Sequence, residues 1–320
     1  MQEQPVLAID LGGTKILAAI VSEKCQIVAR EYSLTLADEG PQSVIDRLFS
    51  AIDHILGLKN VNPSQLTGIS IAAAGAIDSG RGLVAYSPNL PGWSDIPLRD
   101  MVRDRYMVDT FLVNDAGAAA LGEHRLGAGK GMNNLILLTV GTGIGGGIII
   151  DGKLYSGLSG SAGEIGHMTI DVNGPRCNCG NVGCLETLAS GTAIAREAVR
   201  RISQGEKSSL TEIVTGEIEN TTAKDVSLAA QGGDPLALEV ISEAASYLGM
   251  GMVNLVNIFN PEMIIVGGGV AKLGDLLLEP ARQVVREKAF SISARAVRIV
   301  PAQLGDDVGV LGAAVFAFQR

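Results

Sequence analysis

Three cysteines, Cys177, Cys179 and Cys184, lie within a run of eight residues that also contains two glycines. Thiolates at this density favour a zinc site in a chain that does not look like a disulfide scaffold. Zinc takes four ligands, and His167 is the nearby histidine among only three in the chain. The other interpretation is that the thiols stay free and pack as small apolar side chains. Cys25 stands apart and is predicted to be structural.

Glycine-rich turns follow apolar runs at three places, Asp10–Lys15, Gly141–Gly147 and Gly267–Gly269. Backbone N–H groups in such turns can approach phosphate oxygens because no Cβ blocks the way. Asp10 and Lys15 flank the first turn, and together they offer a carboxylate for Mg²⁺ and a cation for phosphate. The alternative is that tight hairpins simply use glycine.

The second turn also fits the dinucleotide-binding spacing, because Gly141, Gly143 and Gly146 form G-x-G-x-x-G. That motif must open a helix, whereas Ile148–Ile150 followed by Asp151-Gly152 predicts a strand and a hairpin turn. A dinucleotide site is therefore not predicted here.

Polar residues that could act on a hydroxyl group lie at the ends of other predicted elements. Asn114-Asp115 follows the predicted strand Thr110–Val113, from which a carboxylate can project. The sequence alone favours the other interpretation, in which Asp115 is an N-cap for the Ala-rich helix that follows. Isolated glutamates such as Glu164 and Glu186 are usually solvated surface residues.

The elements that must position these residues alternate between strands and helices, which predicts an α/β fold. Strands are predicted at Val6–Asp10, Ile16–Val21, Gln26–Leu34, Leu66–Ala74, Thr110–Val113, Leu135–Val140, Ile148–Ile150 and Met263–Val266, and helices at Ser43–Leu56 with a stop at Gly57, Leu98–Tyr106 and Gly309–Phe318. Strand, glycine turn and strand occur twice, near residues 6–21 and 135–150. This weak repeat predicts two related lobes, residues 1–118 completed by a helix at about 305–320, and residues 119–304.

Composition and net charge limit the kinds of molecule that this protein is expected to bind. The 320 residues carry a net charge of −9, and hydrophobic residues make up 47% of them, so a large core is expected and nucleic acid is a poor partner. Neither a signal peptide nor a run of about 18 apolar residues is found. A cytoplasmic protein without a membrane partner is expected. The 41 glycines are nearly twice the usual share of about 7%.

The motifs together resemble those of the ROK family of sugar kinases, within the actin-like ATPase superfamily. The resemblance rests on Asp10–Lys15 and Gly141–Gly147 as first and second phosphate motifs, on Asn114-Asp115, on Glu164–His167 and on the cysteine run. It extends over nearly the whole chain. It implies a two-lobed, ribonuclease H-like fold with the ligands in a cleft between the lobes.

The resemblance also implies roles for individual residues. Asp115 is the catalytic base. The sugar contacts are Gly75, Asn89, Asn114, Asp115, Glu164, His167 and Glu186. ATP and Mg²⁺ are held by Asp10, Gly12, Gly13, Thr14, Lys15, Gly141, Thr142, Gly143, Gly267, Gly268 and Gly269, and a structural Zn²⁺ by His167, Cys177, Cys179 and Cys184. One departure is Ala72–Gly75, where many relatives have a proline just before the glycine.

The implied reaction is phosphorylation of a hexose at its 6-hydroxyl by a homodimer or homotetramer. The loop Ser87–Trp93 resembles that of glucokinases, which favours glucose over N-acetylglucosamine or N-acetylmannosamine. The family also contains sugar-responsive repressors with a DNA-binding domain ahead of the first phosphate motif, whereas nine residues precede Asp10 here. An actin-like ATPase switch or filament is a third possibility, which the zinc and sugar motifs disfavour. Polyphosphate remains an alternative donor.

Overall fold

The computed structural model describes residues 4–320; the domain prediction and the expectation of no signal peptide also include Met1–Glu3, which lie outside the described residues. The strands are β1 Val6–Leu11, β2 Lys15–Val21, β3 Ile27–Leu34, β4 Gly68–Ala73, β5 Ala76–Asp78, β6 Leu83–Tyr86, β7 Ser94–Ile96, β8 Thr110–Asn114, β9 Leu135–Val140, β10 Ile144–Ile150, β11 Lys153–Leu154, β12 Met263–Gly267 and β13 Arg298–Pro301. The α-helices are α1 Pro41–Lys59, α2 Leu98–Tyr106, α3 Asp115–Leu126, α4 Leu185–Ala189, α5 Gly191–Ser203, α6 Leu210–Ile213, α7 Ala223–Gln231, α8 Pro235–Phe259, α9 Asp275–Lys288, α10 Ser291–Ala296 and α11 Val308–Phe318.

The chain forms two compact units. The first contains the residues up to Gly131 together with Gly147–Gly163 and Gln303–Arg320. The second contains Met132–Gly146 and Glu164–Ala302. The predicted division at 118/119 differs from this one, because all of α3, the end of β10 from Gly147 onward, and β11 group with the first unit.

The first unit is built on a five-stranded sheet with the order β3-β2-β1-β4-β8. The first three strands form an antiparallel meander, and β4 and β8 add in parallel to β1. Strands β1 and β4 are almost wholly buried, as expected for apolar runs covered on both faces. In a smaller sheet, β5-β6-β7, the predicted sugar loop connects β6 to β7.

Helix α1 continues past the predicted stop at Gly57 and ends at Lys59. No heavy atom lies within 4 Å of a side chain added at Gly57, so this glycine weakens an exposed turn of the helix without ending it. The stop is Asn60, which adopts the left-handed conformation at φ 50° and donates its N–H to Gly57 O at 3.2 Å.

Helices α3 and α11 pack with their backbones in close contact, which explains why α3 belongs to the first unit. A side chain at Gly312 of α11 would overlap the carbonyl oxygen of Ala118 in α3. A side chain at Gly122 would approach the carbonyl oxygen of Val308 to 3.0 Å. Glycine is a weak helix former, but Gly122 and Gly312 are required for this contact between the two helix backbones.

Glu123, near the end of α3, is fully buried and accepts three backbone hydrogen bonds. Its carboxylate receives the N–H groups of Ala128, Gln303 and Leu304, each at 2.8 Å. A buried carboxylate is stable when hydrogen bonds replace its water. Glu123 thereby joins the end of α3 to the segment that leads into α11.

The second five-stranded sheet has the order β11-β10-β9-β12-β13, with β12 parallel to both β9 and β13. Its meander followed by two further strands repeats the order of the first sheet, and the expectation of an α/β fold with two related lobes is confirmed. The second glycine turn is shorter than predicted. It covers Gly141–Gly143, since Gly145, Gly146 and Gly147 continue β10. A side chain at Gly147 would lie 2.5 Å from Ala120 Cβ, so glycine here permits close packing of the strand on α3.

Helix α8 is the longest in the described residues and begins with Pro235 after the N-cap Asp234, whose Oδ1 accepts the N–H of Ala237 at 2.9 Å. By length and composition alone it could cross a membrane, but 61% of its most apolar window is buried within the protein. Buried core helices pass the same test, so this is weak evidence for a span. The close approach of Gly249 to Ala281 and Val284 of α9 fits a core helix.

Candidate active site

The first glycine turn, between β1 and β2, is closed by hydrogen bonds from its own unit. Gly12 donates its N–H to Lys15 O at 3.0 Å, and the carbonyl of Gly12 accepts the hydroxyl of Thr35 at 2.7 Å. The backbone N–H of Thr35 donates to Thr14 O at 3.0 Å. Thr35 is fully buried, and its role was not found from the sequence because it follows a different strand with no motif around it.

Asp10 lies in β1 immediately before this turn. Burial raises the pKa of its carboxyl, while the charge of Lys15 acts in the opposite direction. Helix α11 covers the carboxylate closely, because a side chain at Gly309 would lie 2.5 Å from Asp10 Oδ2. A carboxylate that has lost its water in this way is stabilised by a nearby cation, and a hydrated divalent ion is a suitable one.

The predicted sugar loop, Ser87–Trp93, lies against the first turn. A side chain at Gly13 would approach the carbonyl oxygen of Asn89 to 2.5 Å, so only glycine fits there. Leu90 and Trp93 anchor the loop in the core, at 0% and 1% exposure, and leave Asn89 exposed. Two predicted groups of residues, the first phosphate motif and the sugar loop, are therefore adjacent within the first unit.

Gly75 and Asn114 are also brought together. Gly75 has φ 115°, and a side chain there would overlap the carbonyl of Tyr86, so local packing is sufficient to require glycine. Its carbonyl accepts Nδ2 of Asn114 at 2.9 Å. Oδ1 of Asn114 accepts the N–H of Gly117 at 2.9 Å, which makes Asn114 the N-cap of α3.

Asp115 is therefore not the N-cap, as one interpretation of the sequence had it, but the first residue of the helix. Its Oδ1 accepts the N–H of Ala116 at 2.8 Å. The partial positive charge of a helix N-terminus favours a carboxylate at this position. Because Asn114 takes the capping role, the Asp115 side chain is held at the helix end by the strand-to-helix junction.

In the second unit, the turn Gly141–Gly143 lies between β9 and β10. Gly141 donates its N–H to Gly143 O at 2.9 Å, and Glu186 Oε2 accepts the N–H of Ile144 at 2.8 Å. Glu186, predicted as a sugar contact, is thus placed directly against the second phosphate motif.

The third glycine group is next to the second. Gly268 has φ 90°, and a side chain there would overlap the carbonyl of Val140, the last residue of β9. Gly267 ends β12, and Gly269 is the N-cap of the short 3₁₀ helix Val270–Leu273, where an added side chain would meet no atom within 4 Å. The structure therefore brings the two predicted nucleotide segments of the second unit together.

The four predicted zinc ligands converge. All of their ligand atoms lie within 4.8 Å of one another. The distance from Cys177 Sγ to His167 Nδ1 is 3.7 Å, and that from Cys179 Sγ to Cys184 Sγ is also 3.7 Å. Ligands on a tetrahedral zinc ion at about 2.0–2.3 Å are separated by about 3.3–3.8 Å, so both of these 3.7 Å distances match such an ion.

The electrostatics of the thiols differ. Burial raises the pKa of Cys177 and raises that of Cys184 to about 12, whereas a backbone hydrogen bond from Asn181 lowers the pKa of Cys179. A bound cation reverses the effect of burial and stabilises thiolates.

His167 connects this cluster to Glu164. Its Nδ1 faces Cys177, and its Nε2 is 3.9 Å from Glu164 Oε2. The 3₁₀ helix Ile165–His167 packs on β10 through Gly166, where a side chain would overlap the carbonyl of Ile144. Glu164 itself is exposed, so it is available to a polar ligand.

Comparison with known proteins adds to this geometry. The model of the ROK family matches residues 6–320. A glucokinase from Halalkalibacterium halodurans is 39% identical over 98% of this chain and 94% of its own length. A xylose repressor from Caldicellulosiruptor bescii is 34% identical over 96% of this chain and 76% of its own length.

Among solved structures, a ROK family glucokinase from Streptomyces griseus in complex with glucose and AMPPNP is similar. Its TM-score is 0.86 at 36% identity, covering 99% of this chain and 100% of that one. The predicted two-lobed actin-like ATPase fold is thereby confirmed. Over nearly its whole length, this chain belongs to the ROK family.

Proposed function

We propose that this protein is an ATP-dependent kinase that phosphorylates glucose at the 6-hydroxyl. The similarity to a glucokinase solved with glucose and AMPPNP, over 99% of this chain, is the observation that carries the proposal. The two closed glycine turns and the carboxylate of Asp115 provide what phosphoryl transfer needs, which is alignment, charge neutralisation and a base.

The nucleotide phosphates are bound by the turns. The backbone amides of Gly13, Thr14, Thr142 and Gly143 and the segment Gly267–Gly269 supply donors, and Lys15 supplies a positive charge. The N–H groups of Gly12 and Gly141 donate within their own turns and hold the turns closed. Asp10 would hold Mg²⁺ through its water shell, and the ion, when bound, neutralises charge on the phosphates. The buried position of Asp10 supports this role.

Asp115 accepts the proton of the sugar 6-hydroxyl while the hydroxyl oxygen forms its bond to the γ-phosphoryl group and ADP leaves. Asn89, Asn114, Glu164, His167 and Glu186 offer oxygen and nitrogen atoms for the other hydroxyls, and Gly75 keeps the backbone close. The Asp115 side chain lies at the N-terminus of α3, where the partial positive charge of the helix end is favourable for a carboxylate.

The preference for glucose over N-acetylated sugars is supported by the loop Ser87–Trp93, which resembles that of glucokinases. A side chain at Gly75 would meet the backbone of Tyr86 and Ser87, so this loop packs tightly against the segment that begins at Gly75. A site built for a 2-hydroxyl would also leave its polar groups unpaired against an acetamide.

A structural zinc ion held by His167, Cys177, Cys179 and Cys184 is part of the proposal. The matching separations of the ligand atoms support it. The four side chains complete the zinc coordination, so the ion would position Glu164 and His167 and would not activate a substrate.

The proposal also includes that the protein is cytoplasmic and forms a homo-oligomer. Three apolar residues, Ile258, Phe290 and Ile292, are 65–69% exposed. A hydrogen bond from Phe290 N–H to Asn257 Oδ1 at 2.8 Å joins the chain segments that contain them. A surface of this kind is suited to burial between copies of the chain.

A sugar-responsive repressor is the second candidate, because a xylose repressor is 34% identical over 96% of this chain. Sugar-dependent consumption of ATP separates the two, since a repressor needs sugar binding without turnover.

The substrate is tested by comparing kcat/KM for glucose, mannose, fructose, N-acetylglucosamine and N-acetylmannosamine in a coupled ADP assay. We expect glucose to exceed both N-acetylated sugars by about a hundredfold or more. A higher value for either N-acetylated sugar would assign the enzyme to the amino-sugar kinases. Absence of turnover with every sugar would leave the repressor as the better candidate.

Asp115→Asn should lower kcat by about 10²–10⁴-fold or more, because the amide cannot accept the hydroxyl proton. Binding of glucose and of MgADP, measured by calorimetry, should stay within a few fold of the parent protein. Asp78→Asn, a carboxylate outside the proposed site, is the control. Turnover near that of the parent protein would remove Asp115 from the mechanism.

Asp10→Asn should reduce kcat/KM by about a hundredfold or more through loss of the metal-binding charge, without loss of stability. The raised pKa means that the folded chain binds the Asp10 proton more tightly than the unfolded chain does. The free energy of unfolding therefore falls as pH rises from the unfolded pKa through the folded one. We expect the thermal midpoint of the variant at pH 7 to equal or exceed that of the parent, and the difference to shrink near pH 4. A lower midpoint at pH 7 would mean that the carboxylate is stabilised by a partner in the folded protein.

Metal analysis should find one zinc ion per chain in protein purified without added metal. Cys179→Ser should lose most of this metal and lower the thermal midpoint by about 5 °C or more, because metal binding is coupled to folding. Cys25→Ser, outside the cluster, should retain the metal. Fully active parent protein without zinc would contradict the proposal.

A further inference from the structure

The N-terminus of α5 contacts the carbonyl side of the second glycine turn. Gly191 donates its N–H to Gly141 O at 2.7 Å, and the hydroxyl of Thr192 donates to Thr142 O at 2.8 Å. The N–H of Thr192 reaches the same oxygen at 3.4 Å. The first N–H groups of a helix have no partner within the helix, and here the turn carbonyls serve as acceptors.

The chain just before α5 fixes the far end of the same turn. Glu186 of α4 accepts the N–H of Ile144, the residue that follows the turn, at 2.8 Å. Residues Glu186–Thr192, which we call the clamp segment, therefore contact the backbone of the turn at Gly141, at Thr142 and at Ile144. All of these residues belong to the second unit.

These contacts determine the direction of two amides. In a planar trans peptide, the C=O of one residue and the N–H of the next point in opposite directions. Because the carbonyls of Gly141 and Thr142 face the clamp segment, the N–H groups of Thr142 and Gly143 face away from it. Neither N–H donates to an acceptor among residues 4–320. Two adjacent amides that point the same way form an anion-binding concavity.

The clamp leaves no room for a larger residue at Gly191. An added methyl group would lie 2.8 Å from Gly141 O, 3.2 Å from Val270 Cγ2 and 3.3 Å from Ala223 Cβ. The nearest of these is a backbone oxygen, which cannot rotate away as a side chain could. A methyl group at this position must therefore separate the start of α5 from the turn and break the contact between them.

We propose that Gly191 and Thr192 are positioning residues for the nucleotide. They hold two peptide units of the second turn so that the amides of Thr142 and Gly143 receive an anionic phosphate of a nucleoside triphosphate. This rests on the proposed kinase function, and neither residue needs to touch the nucleotide itself.

The test compares Gly191→Ala, Thr192→Val and Thr192→Ser in the full chain. Steady-state kinetics give KM for ATP and for glucose, calorimetry gives the Kd of MgADP, and thermal unfolding reports stability. Gly57→Ala is the matched control, a glycine of a helix where an added methyl meets no atom within 4 Å.

We expect Gly191→Ala to raise KM for ATP and Kd for MgADP about tenfold or more, with KM for glucose within twofold. Thr192→Val should raise the same two quantities about two- to tenfold, the range for one lost hydrogen bond. Thr192→Ser keeps the hydroxyl and should behave as the parent protein, as should Gly57→Ala.

Unchanged nucleotide affinity in both Gly191→Ala and Thr192→Val would overturn the proposal. Equal increases in both KM values with a lower thermal midpoint would also overturn it, because they would indicate a general structural role. If Gly191→Ala does not fold, the comparison of Thr192→Val with Thr192→Ser tests the proposal, because only Thr192→Val should weaken nucleotide binding. If the parent protein binds MgADP but phosphorylates no sugar, the proposed function fails while the Kd of MgADP still tests the clamp.

Discussion

A peptide group has a donor side and an acceptor side, and a turn can present its donors to a ligand only if something else satisfies its acceptors. Both glycine turns meet this constraint within their own unit. Thr35 takes the carbonyls of Gly12 and Thr14, and the start of α5 takes those of Gly141 and Thr142. The proposed chemistry depends on these carbonyl contacts as much as on the motif residues themselves, because a carbonyl oxygen that faced the site would repel the phosphate that the amides attract.

Close packing of one backbone segment on another explains several glycines near the proposed site. Gly13, Gly147 and Gly309 do not have left-handed backbones; each stands where another segment comes too close for a Cβ atom. Gly75 and Gly268 combine a positive φ with such a close approach. These five glycines therefore reflect tightly packed backbone around the proposed site, which allows that site to be shaped mainly by main-chain atoms.

Local patterns in the sequence predicted local structure well. The helix Leu98–Tyr106 and the strand Leu135–Val140 have the predicted bounds, since each has a clear apolar pattern and clear ends. The predicted helix stop at Gly57 was wrong because a glycine on the solvent side of a helix costs about 1 kcal/mol and does not end the helix. The predicted turn at Gly145–Gly147 was wrong because glycine can indicate either a turn or close packing, and only the contact of Gly147 with α3 distinguishes the two.

Within the candidate site, the motif residues could be named from the sequence, but their partners could not. Thr35 acts through two hydrogen bonds and Gly191 through one, each to a residue more than 20 positions away, and no sequence pattern around either residue indicates these partners. Likewise, Asn114 rather than Asp115 caps α3, a choice that depends on backbone angles at one junction. Long-range pairing and local geometry are the information that a single sequence does not display.

The position of α11 has a consequence for the order in which the protein can form during synthesis. The first unit contains β1 and also Gln303–Arg320, which emerge from the ribosome only after the entire second unit. Until then, Glu123 lacks two of its three donors and Asp10 lacks the helix that covers it. Domains normally fold in order from the N-terminus, but here the unit that begins first is completed last. During synthesis, the first unit therefore remains incomplete: Glu123 is without two of its donors, and the sheet is not yet covered by α11. The second unit is complete at Ala302 and can fold before the first.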